Sequence, residues 1–373
     1  MSEVSKNAVL DKLPDSLMFL VDGYLDYAYE VIQERALPAI DGLKPSQRKI
    51  LVAMQEIAKA DKLTKCASIV GDVLKLHPHG DASVYATLVR MTDRAGYLNI
   101  PLIKGKGNFG QVSDEKPPAA SRYTECQKAQ ILDEYFRDVK GVKRVPSYDN
   151  SRTEPELLPV TFPSILCNAT QGIAVGLASN IPSFNFHEVI KATIELIQNG
   201  YISEPLVPDF PSAGSYVYNQ SELAKLMSTG KASIKLRGKW VIDGKNIIIT
   251  EIPYYTTIEA IERKVKEMPD VVECKDVSDL NGLSFIVTCR NKQSVNDVLT
   301  SLLRDTNLQM TVGVNISAII DGMPKTLGVT DLLFAWIDFR TKVLNKQLNY
   351  DLNIVNNEIR FLTGLITFLQ DTE

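Results

Sequence analysis

The sequence is poor in the residues that build metal sites and disulfide frameworks. Its 373 residues include 5 cysteines and 3 histidines. The cysteine count is odd, and none of Cys66, Cys126, Cys167, Cys274 and Cys289 belongs to a CxxC pair. That argues against a disulfide scaffold and a structural zinc site, and for a reducing compartment. No apolar run approaches the ~18 residues of a membrane span. Met1 to Lys12 has no basic stretch followed by an apolar one, so no secretory leader is expected. Low-complexity tracts and repeats of solenoid period are also missing. What remains is ordinary: 45% hydrophobic and 23% charged residues, which excludes a disordered tail or a fibre. Two or three domains are expected, in a soluble, cytoplasmic protein without a membrane partner.

The net charge of −4 gives no hint of a polyanion, but its distribution does. Residues 1–34 hold 2 Lys against 7 Asp/Glu, a balance of −5, whereas residues 35–128 hold 15 Lys/Arg against 9 Asp/Glu, a balance of +6. A basic middle between acidic flanks is what a localised polyanion site produces. A chance fluctuation on a solvated surface would look the same.

Hydrophobic spacing predicts a helix over 16–35 with Leu17, Leu20, Tyr24, Tyr27, Ala28 and Val31 on one side, ended by Pro38. A second helix opens at Pro45 and runs to 59. The stretch CASIVGDVLKL is a third. After the break His-Pro-His-Gly at 77–80, Asp81 is a plausible N-cap for ASVYATLVRM. Two short helices joined in this way form a helix-turn-helix candidate, a unit that lays a helix in the DNA major groove. Residues 97–112 are expected as short extended pieces around a Gly-rich turn. Residues 155–185 are expected to be irregular, close-packed backbone. From about 213 to 320, strand-like and helical stretches alternate, an α+β pattern. Residues 331–371 form one long helix. From Leu348, apolar residues at 352, 355, 359, 362, 366 and 369 step by four and three, as in a coiled-coil seam or a core-packing helix.

Individual motifs remain ambiguous. GKGNFG at 105–110 satisfies GxGxxG, but no Lys-Ser/Thr pair and no helix follow, which argues against nucleotide binding. His77, His79 and Asp81 lack an evident fourth metal ligand. A loop histidine donating to phosphate, or a turn histidine without a role, fits as well. Tyr123 follows Arg122 after a loop of small residues. A phenol becomes a nucleophile when its anion is stabilised, and an adjacent cation does that.

Taken in order, RALPAIDGLKPSQRKIL (35–51), ASIVGDVLKLHPHGDASVYATLVRM (67–91), GKGNFG (105–110), AASRYTE (119–125) and TFPSILCNATQGIAVGLASNIPSFNFHEVI (161–190) resemble the DNA breakage-reunion subunit of type IIA topoisomerases. The resemblance is to the A subunits of gyrase and topoisomerase IV and their phage relatives. It covers essentially the whole chain and is densest from 24 to 190. HPHGD is the bacterial form of its motif, while DGLKPSQRK also resembles the eukaryotic form, which points to a phage or divergent bacterial source.

The resemblance implies an α+β architecture: an N-terminal helical arm (1–34), a winged-helix domain with the catalytic tyrosine (35–145), a tower domain (146–325) and a coiled-coil helix leading toward an exit gate (326–373). It implies that Tyr123 is the nucleophile, forming a 5′-phosphotyrosyl bond. Arg122, Arg35 and His79 would steady the scissile phosphate. Lys44, Arg48 and Lys49 would grip the backbone, His77 and Lys106 would lie against DNA, and Phe162 would take the place of an isoleucine that wedges between base pairs. Magnesium and ATP would be bound by a Toprim/ATPase partner, with no metal or nucleotide on this chain. Two copies would each supply one Tyr123 within an A2B2-type complex on double-stranded DNA. A non-catalytic winged-helix architectural protein is the rival reading.

Three departures follow from the same resemblance. An aromatic wedge at Phe162 predicts an altered site preference. The positions occupied in quinolone-binding relatives by a serine and an acidic residue are here Ala82 or Ser83 and Ala86, which predicts weak quinolone sensitivity. The chain stops while the seam still runs, as a truncated or unusually short subunit would, and a gyrase-type wrapping domain and negative supercoiling are not expected.

Overall fold

The computed structural model describes residues 15–57, 62–77, 80–279 and 282–371, with backbone only at 15–22, 57 and 371. In chain order the first elements are α1 (Asp15–Val31), α2 (Pro45–Ile57), β1 (Thr64–Lys65), α3 (Cys66–Val73), α4 (Asp81–Arg90), β2 (Ile103–Lys106), β3 (Glu125–Lys128), α5 (Asp133–Phe136), β4 (Arg144–Pro146) and β5 (Thr153–Pro155). Then come β6 (Thr170–Ala174), β7 (Leu177–Ile181), α6 (Phe186–Asn199), β8 (Ser215–Val217), α7 (Gln220–Thr229), β9 (Lys231–Arg237), β10 (Lys239–Asp243), β11 (Asn246–Glu251) and α8 (Ile258–Val265). The last are β12 (Val271–Asp276), β13 (Phe285–Cys289), α9 (Val295–Asp305), β14 (Gln309–Asn315), β15 (Ser317–Ile320), β16 (Met323–Thr326) and α10 (Val329–Asp371). The fold is mixed α and β, with sheets ordered β1-β3-β2, β6-β7-β14-β9-β8 and β10-β11-β13-β12 and two hairpins, β4-β5 and β15-β16. No described helix is long and apolar enough to cross a membrane.

Local chemistry explains the starts and stops. At the α2 entry the Lys44 N–H donates to Gln47 Oε1 at 2.9 Å, and Pro45 takes the first helical position, where no N–H is needed. Ile50, Leu51 and Met54 are buried, as their spacing predicts. For α4 the cap is Gly80 and not Asp81. Gly80 is extended, and Asp81 is the first helical residue, with no side-chain capping bond. The α1 expectation holds for the helix but not for its face: Tyr24 and Tyr27 are exposed, because no other described element covers that side, while Val31 is buried. Leu17 and Leu20 fall among the residues described by backbone only.

The segment 155–185 is more regular than its prolines suggest. It contains the hairpin β6–β7, closed by Gly176 at φ +71°. The GIAVG sequence alternates too little for a strand signature, yet the pairing Thr170↔Ile181 to Ala174↔Leu177 is continuous.

Two apolar clusters hold the chain together. The larger runs from Ile40 to Trp336 and crosses residue 145 without a break, joining Met54 and Leu88 to Leu158, Phe184 and Leu332. The smaller packs α8 and α9 on one face of the sheet containing β11 and β13, around Ile249, Phe285 and Leu302. The base of α10 is tied down by Arg340, which donates to Pro159 O at 2.8 Å and pairs with Asp138. Beyond it the seam residues Leu348, Leu352, Val355, Ile359, Leu362 and Ile366 are all exposed.

Candidate nucleic-acid breakage site

The tyrosine turn comes first. Residues 119–124 leave the Gly-rich loop and enter β3, the central strand of the small sheet. Ala119 N–H donates to Asn108 O at 3.0 Å, and Tyr123 N–H to Ala120 O at 2.9 Å. The start of α3 grips the turn from beneath: Ala67 N–H donates to Ser121 O at 3.2 Å and Cys66 N–H to Thr124 O at 3.0 Å. The glycines of GKGNFG serve this approach. Gly107 has φ +119°, and a Cβ there would lie 3.3 Å from the Thr124 methyl group and 3.7 Å from Tyr123 O. Phe109 of the same motif is buried in the core, and no helix follows, so the loop is a structural support for the turn rather than a nucleotide cradle.

The result is a rigid backbone that presents two side chains outward. Tyr123 is 65% exposed. The Arg122 guanidinium lies over its ring, 4.8 Å from the centroid. This brings together the two residues the sequence pairs, with a delocalised cation against the phenol. Lys106 and Glu125 face each other across β2 and β3 at 3.9 Å. Glu125 is also bound by Lys65 at 2.9 Å, and these cations hold its carboxyl below the usual glutamate range. Lys106 is thus an exposed cation whose charge is partly countered.

A second assembly is a groove of about 640 Å³ lined by Arg35, Lys44, Thr87, Arg90, Gln171 and Tyr254, among others. Arg35 sits on a single π-helical turn, Ile32–Ala36, that ends α1 before the extended Leu37. Lys44 Nζ donates to Gln171 O of β6. Burial, and then the charge of Arg90, pull its ammonium below the ordinary lysine value. Among the described residues no hydrogen bond, ion pair or ring contact joins Arg35 or Lys44 to Tyr123 or Arg122.

The same hairpin corrects the wedge. Phe162 is 3% exposed and packs edge-on between Tyr135 and Phe186, at 5.6 and 5.3 Å between ring centroids. It is core, and no base step can reach it in this fold. The outward apolar side chain is Ile173 on β6, 87% exposed. Its neighbour Gly172 has no side chain because a Cβ there would fall 2.0 Å from Ala36 O. That close approach seats the hairpin against the Arg35 turn. The signal was present in the sequence as a lone Ile between glycine and alanine, but exposure cannot be read from a run of apolar letters.

Two of the expected backbone grips are also corrected. Arg48 is 8% exposed, with Nε 2.7 Å and Nη2 2.9 Å from the carboxylate oxygens of buried Asp41. Asp41 also accepts from Leu158 N–H at 2.9 Å, and Ser164 Oγ donates to Asp41 O at 2.7 Å. The guanidinium is spent on Asp41 and Leu43 O, and Asp41 in turn holds the segment 158–166, so the charge is already paired inside the fold. Gly42, at φ +74°, permits the turn; a Cβ would meet Ser164 Oγ at 2.5 Å. Lys49 likewise turns inward, donating to Leu76 O at 2.9 Å and lying 3.4 Å from Glu154. Ser46 and Gln47 line the groove with Lys44, whereas Arg48 and Lys49 line a different cavity beside Glu154. His77 is buried. His79 lies outside the described residues. Ala82 and Ala86 are exposed one turn apart on α4, with Ser83 donating to Gly80 O at 2.7 Å.

Among the described residues no three His, Cys, Asp or Glu side chains come together as a metal cluster.

Comparison with known proteins agrees with the motifs. The family model for the A subunit of DNA gyrase/topoisomerase IV matches residues 35–373. A probable chloroplastic/mitochondrial DNA gyrase A subunit of Oryza sativa subsp. japonica is 38% identical over 381 residues, covering 94% of this chain and 40% of the relative. The DNA gyrase A subunit of Brachyspira hyodysenteriae is 36% identical, covering 93% and 44%. That of Borrelia hermsii is 36% identical, covering all of this chain and 48% of the relative. The chain thus spans less than half the length of these relatives. Its motifs, its extent of match and these identities make it a member of the DNA gyrase/topoisomerase IV A-subunit family.

Proposed function

We propose that this chain carries the DNA breakage-reunion chemistry of a type IIA topoisomerase, with Tyr123 as nucleophile. The observation that carries the reading is the turn itself: an exposed phenol under a guanidinium, on backbone held at both ends. Tyr123 Oη would attack a DNA phosphorus. The bond from phosphorus to the 3′ oxygen breaks as the bond to the tyrosine oxygen forms. The phenol gives up its proton and the departing 3′ oxygen takes one up. One phosphoester replaces another, so resealing needs no external energy source. Negative charge builds on the phosphoryl oxygens in the transition state, where a fixed cationic donor is worth about 3–4 kcal/mol. Arg122, which lies over the Tyr123 ring, would supply one such donor. Arg35 and His79 are proposed to join it when DNA is seated. Lys44, with Arg90 beside it, would hold the sugar-phosphate backbone, contacts that fix register without reading bases. Lys106 would make a peripheral contact.

Ile173 takes over the wedge role. An apolar side chain at an exposed hairpin tip can unstack a base step and kink the duplex. The double-strand cut would need two copies, one Tyr123 each, and a Toprim/ATPase subunit that binds magnesium and ATP, in an A2B2-type complex in the compartment that holds the DNA. We assign residues 35–145 to a winged-helix unit, 146–325 to a tower and the exposed seam of α10 to a coiled coil toward an exit gate.

The test is covalent trapping. The chain, a gyrase B-type partner, magnesium, ATP and plasmid are mixed and quenched with detergent. Protein is expected on DNA 5′ ends, with a nucleotide on the peptide spanning Tyr123. Tyr123→Phe should abolish the adduct while DNA binding persists. Binding without any adduct from the unaltered chain would favour the architectural reading instead.

A further inference from the structure

We propose that Tyr85 is a positioning residue for the breakage step: its phenol clamps the two ends of the turn that presents Arg122 and Tyr123. This rests on the reading of Tyr123 as nucleophile. Tyr85 projects from α4, half-buried against the core. Its oxygen lies 2.6 Å from Ala119 O and 2.9 Å from Thr124 Oγ1. A phenol has one proton, and a carbonyl can only accept. That proton is therefore committed to Ala119, and the Thr124 hydroxyl must donate to the Tyr85 oxygen. The directed chain Thr124 to Tyr85 to Ala119 closes across the four residues 120–123. Burial, the largest influence on this phenol, pushes its pKa up and keeps it a neutral donor.

The clamp matters because few contacts restrain the reacting side chain itself. Among the described residues the Tyr123 ring pairs only with Arg122. Where its oxygen points is then set by the backbone of the turn. The α3 bonds to Ser121 O and Thr124 O hold one flank of that backbone. Tyr85 holds the other and joins its two ends. The same helix supplies Thr87 and Arg90 to the cationic groove. One phenol thus ties the groove wall to the nucleophile's turn. Displacement of a reacting atom by about 1 Å is enough to slow a reaction on the order of 100-fold.

A packing role for Tyr85 and Thr124 would predict different mutational behaviour. Thr124→Val keeps shape and loses the hydroxyl, while Thr124→Ser keeps the hydroxyl and loses a methyl group that lies near Gly107. The measurement is the single-turnover rate of covalent attachment by the chain with its gyrase B-type partner, beside DNA affinity and melting temperature. Tyr85→Phe should attach roughly 10- to 100-fold more slowly at unchanged DNA affinity. Thr124→Val should be slower than Thr124→Ser, and Thr124→Val should add little on top of Tyr85→Phe, since both remove one chain of hydrogen bonds. Tyr85→Phe at the unaltered rate, or Thr124→Ser slower than Thr124→Val, overturns the clamp. If the unaltered chain forms no adduct, the reading of Tyr123 fails and takes this inference with it.

Discussion

Arg48 and Arg122 are drawn from two basic motifs of the same resemblance, and the fold uses them in opposite ways. Arg48 is buried and bidentate on Asp41, the residue that holds the strand-free segment 158–166. Arg122 is exposed and, among the described residues, paired with nothing but the ring it covers. The first has a charge already neutralised, so it stabilises structure and cannot also neutralise a phosphate. The second has its charge available because the turn is held by backbone bonds and by Tyr85 rather than by Arg122 itself. A basic residue near a nucleophile acts on the substrate only if another group does the local structural work.

The sharpest way to break this contrast is to remove each guanidinium in turn. Arg48→Met should destabilise the fold by about 3–5 kcal/mol, because Asp41 is left charged and buried. Chemical denaturation should show it, and an unshifted midpoint would return Arg48 to the DNA-facing set. Arg122→Gln should leave that midpoint in place and slow covalent attachment by about 10²–10³-fold, the loss of one preorganised donor. Equal losses of stability in the two variants would erase the distinction. The smallest effect sharpens the inner side of the same comparison. Burial pushes the Glu154 carboxyl up, and Lys49 and Arg48 offset this only in part. Its Oε2 has no hydrogen-bond partner among the described residues. A carboxyl whose pKa is raised on folding stabilises the fold fully below the ordinary glutamate value and loses that contribution as pH rises through the folded value. Melting temperature should therefore fall across that window in the unaltered chain, and Glu154→Gln should flatten the fall. Of the three variants, Glu154→Gln should give the smallest change.

Much of the framework was legible in the letters. Pro45 starts α2, the α4 spacing buries Val84 and Leu88, and the strand-like stretches at 246–251 and 285–289 form β11 and β13. These depend on local geometry with a fixed period. The hairpin at 170–181 was not legible, because its sequence has small residues on both faces and one of them, Gly172, is required by close approach to Ala36 and not by the strand. The wedge assignment failed for the same reason. Phe162 and Ile173 are both apolar letters in one motif, and only packing separates the ring wedged between Tyr135 and Phe186 from the side chain left outside.

The sequence by itself determined the kinship, the order of motifs and the pairing of a tyrosine with an arginine, since these are properties of identity and spacing along one chain. Tertiary structure decided which cations are spent on Asp41 and Glu154, which apolar side chain faces outward, and that a second tyrosine 38 positions earlier closes the turn around the first. Burial and hydrogen-bond partnership arise between segments far apart in the chain, and no local pattern of letters encodes them.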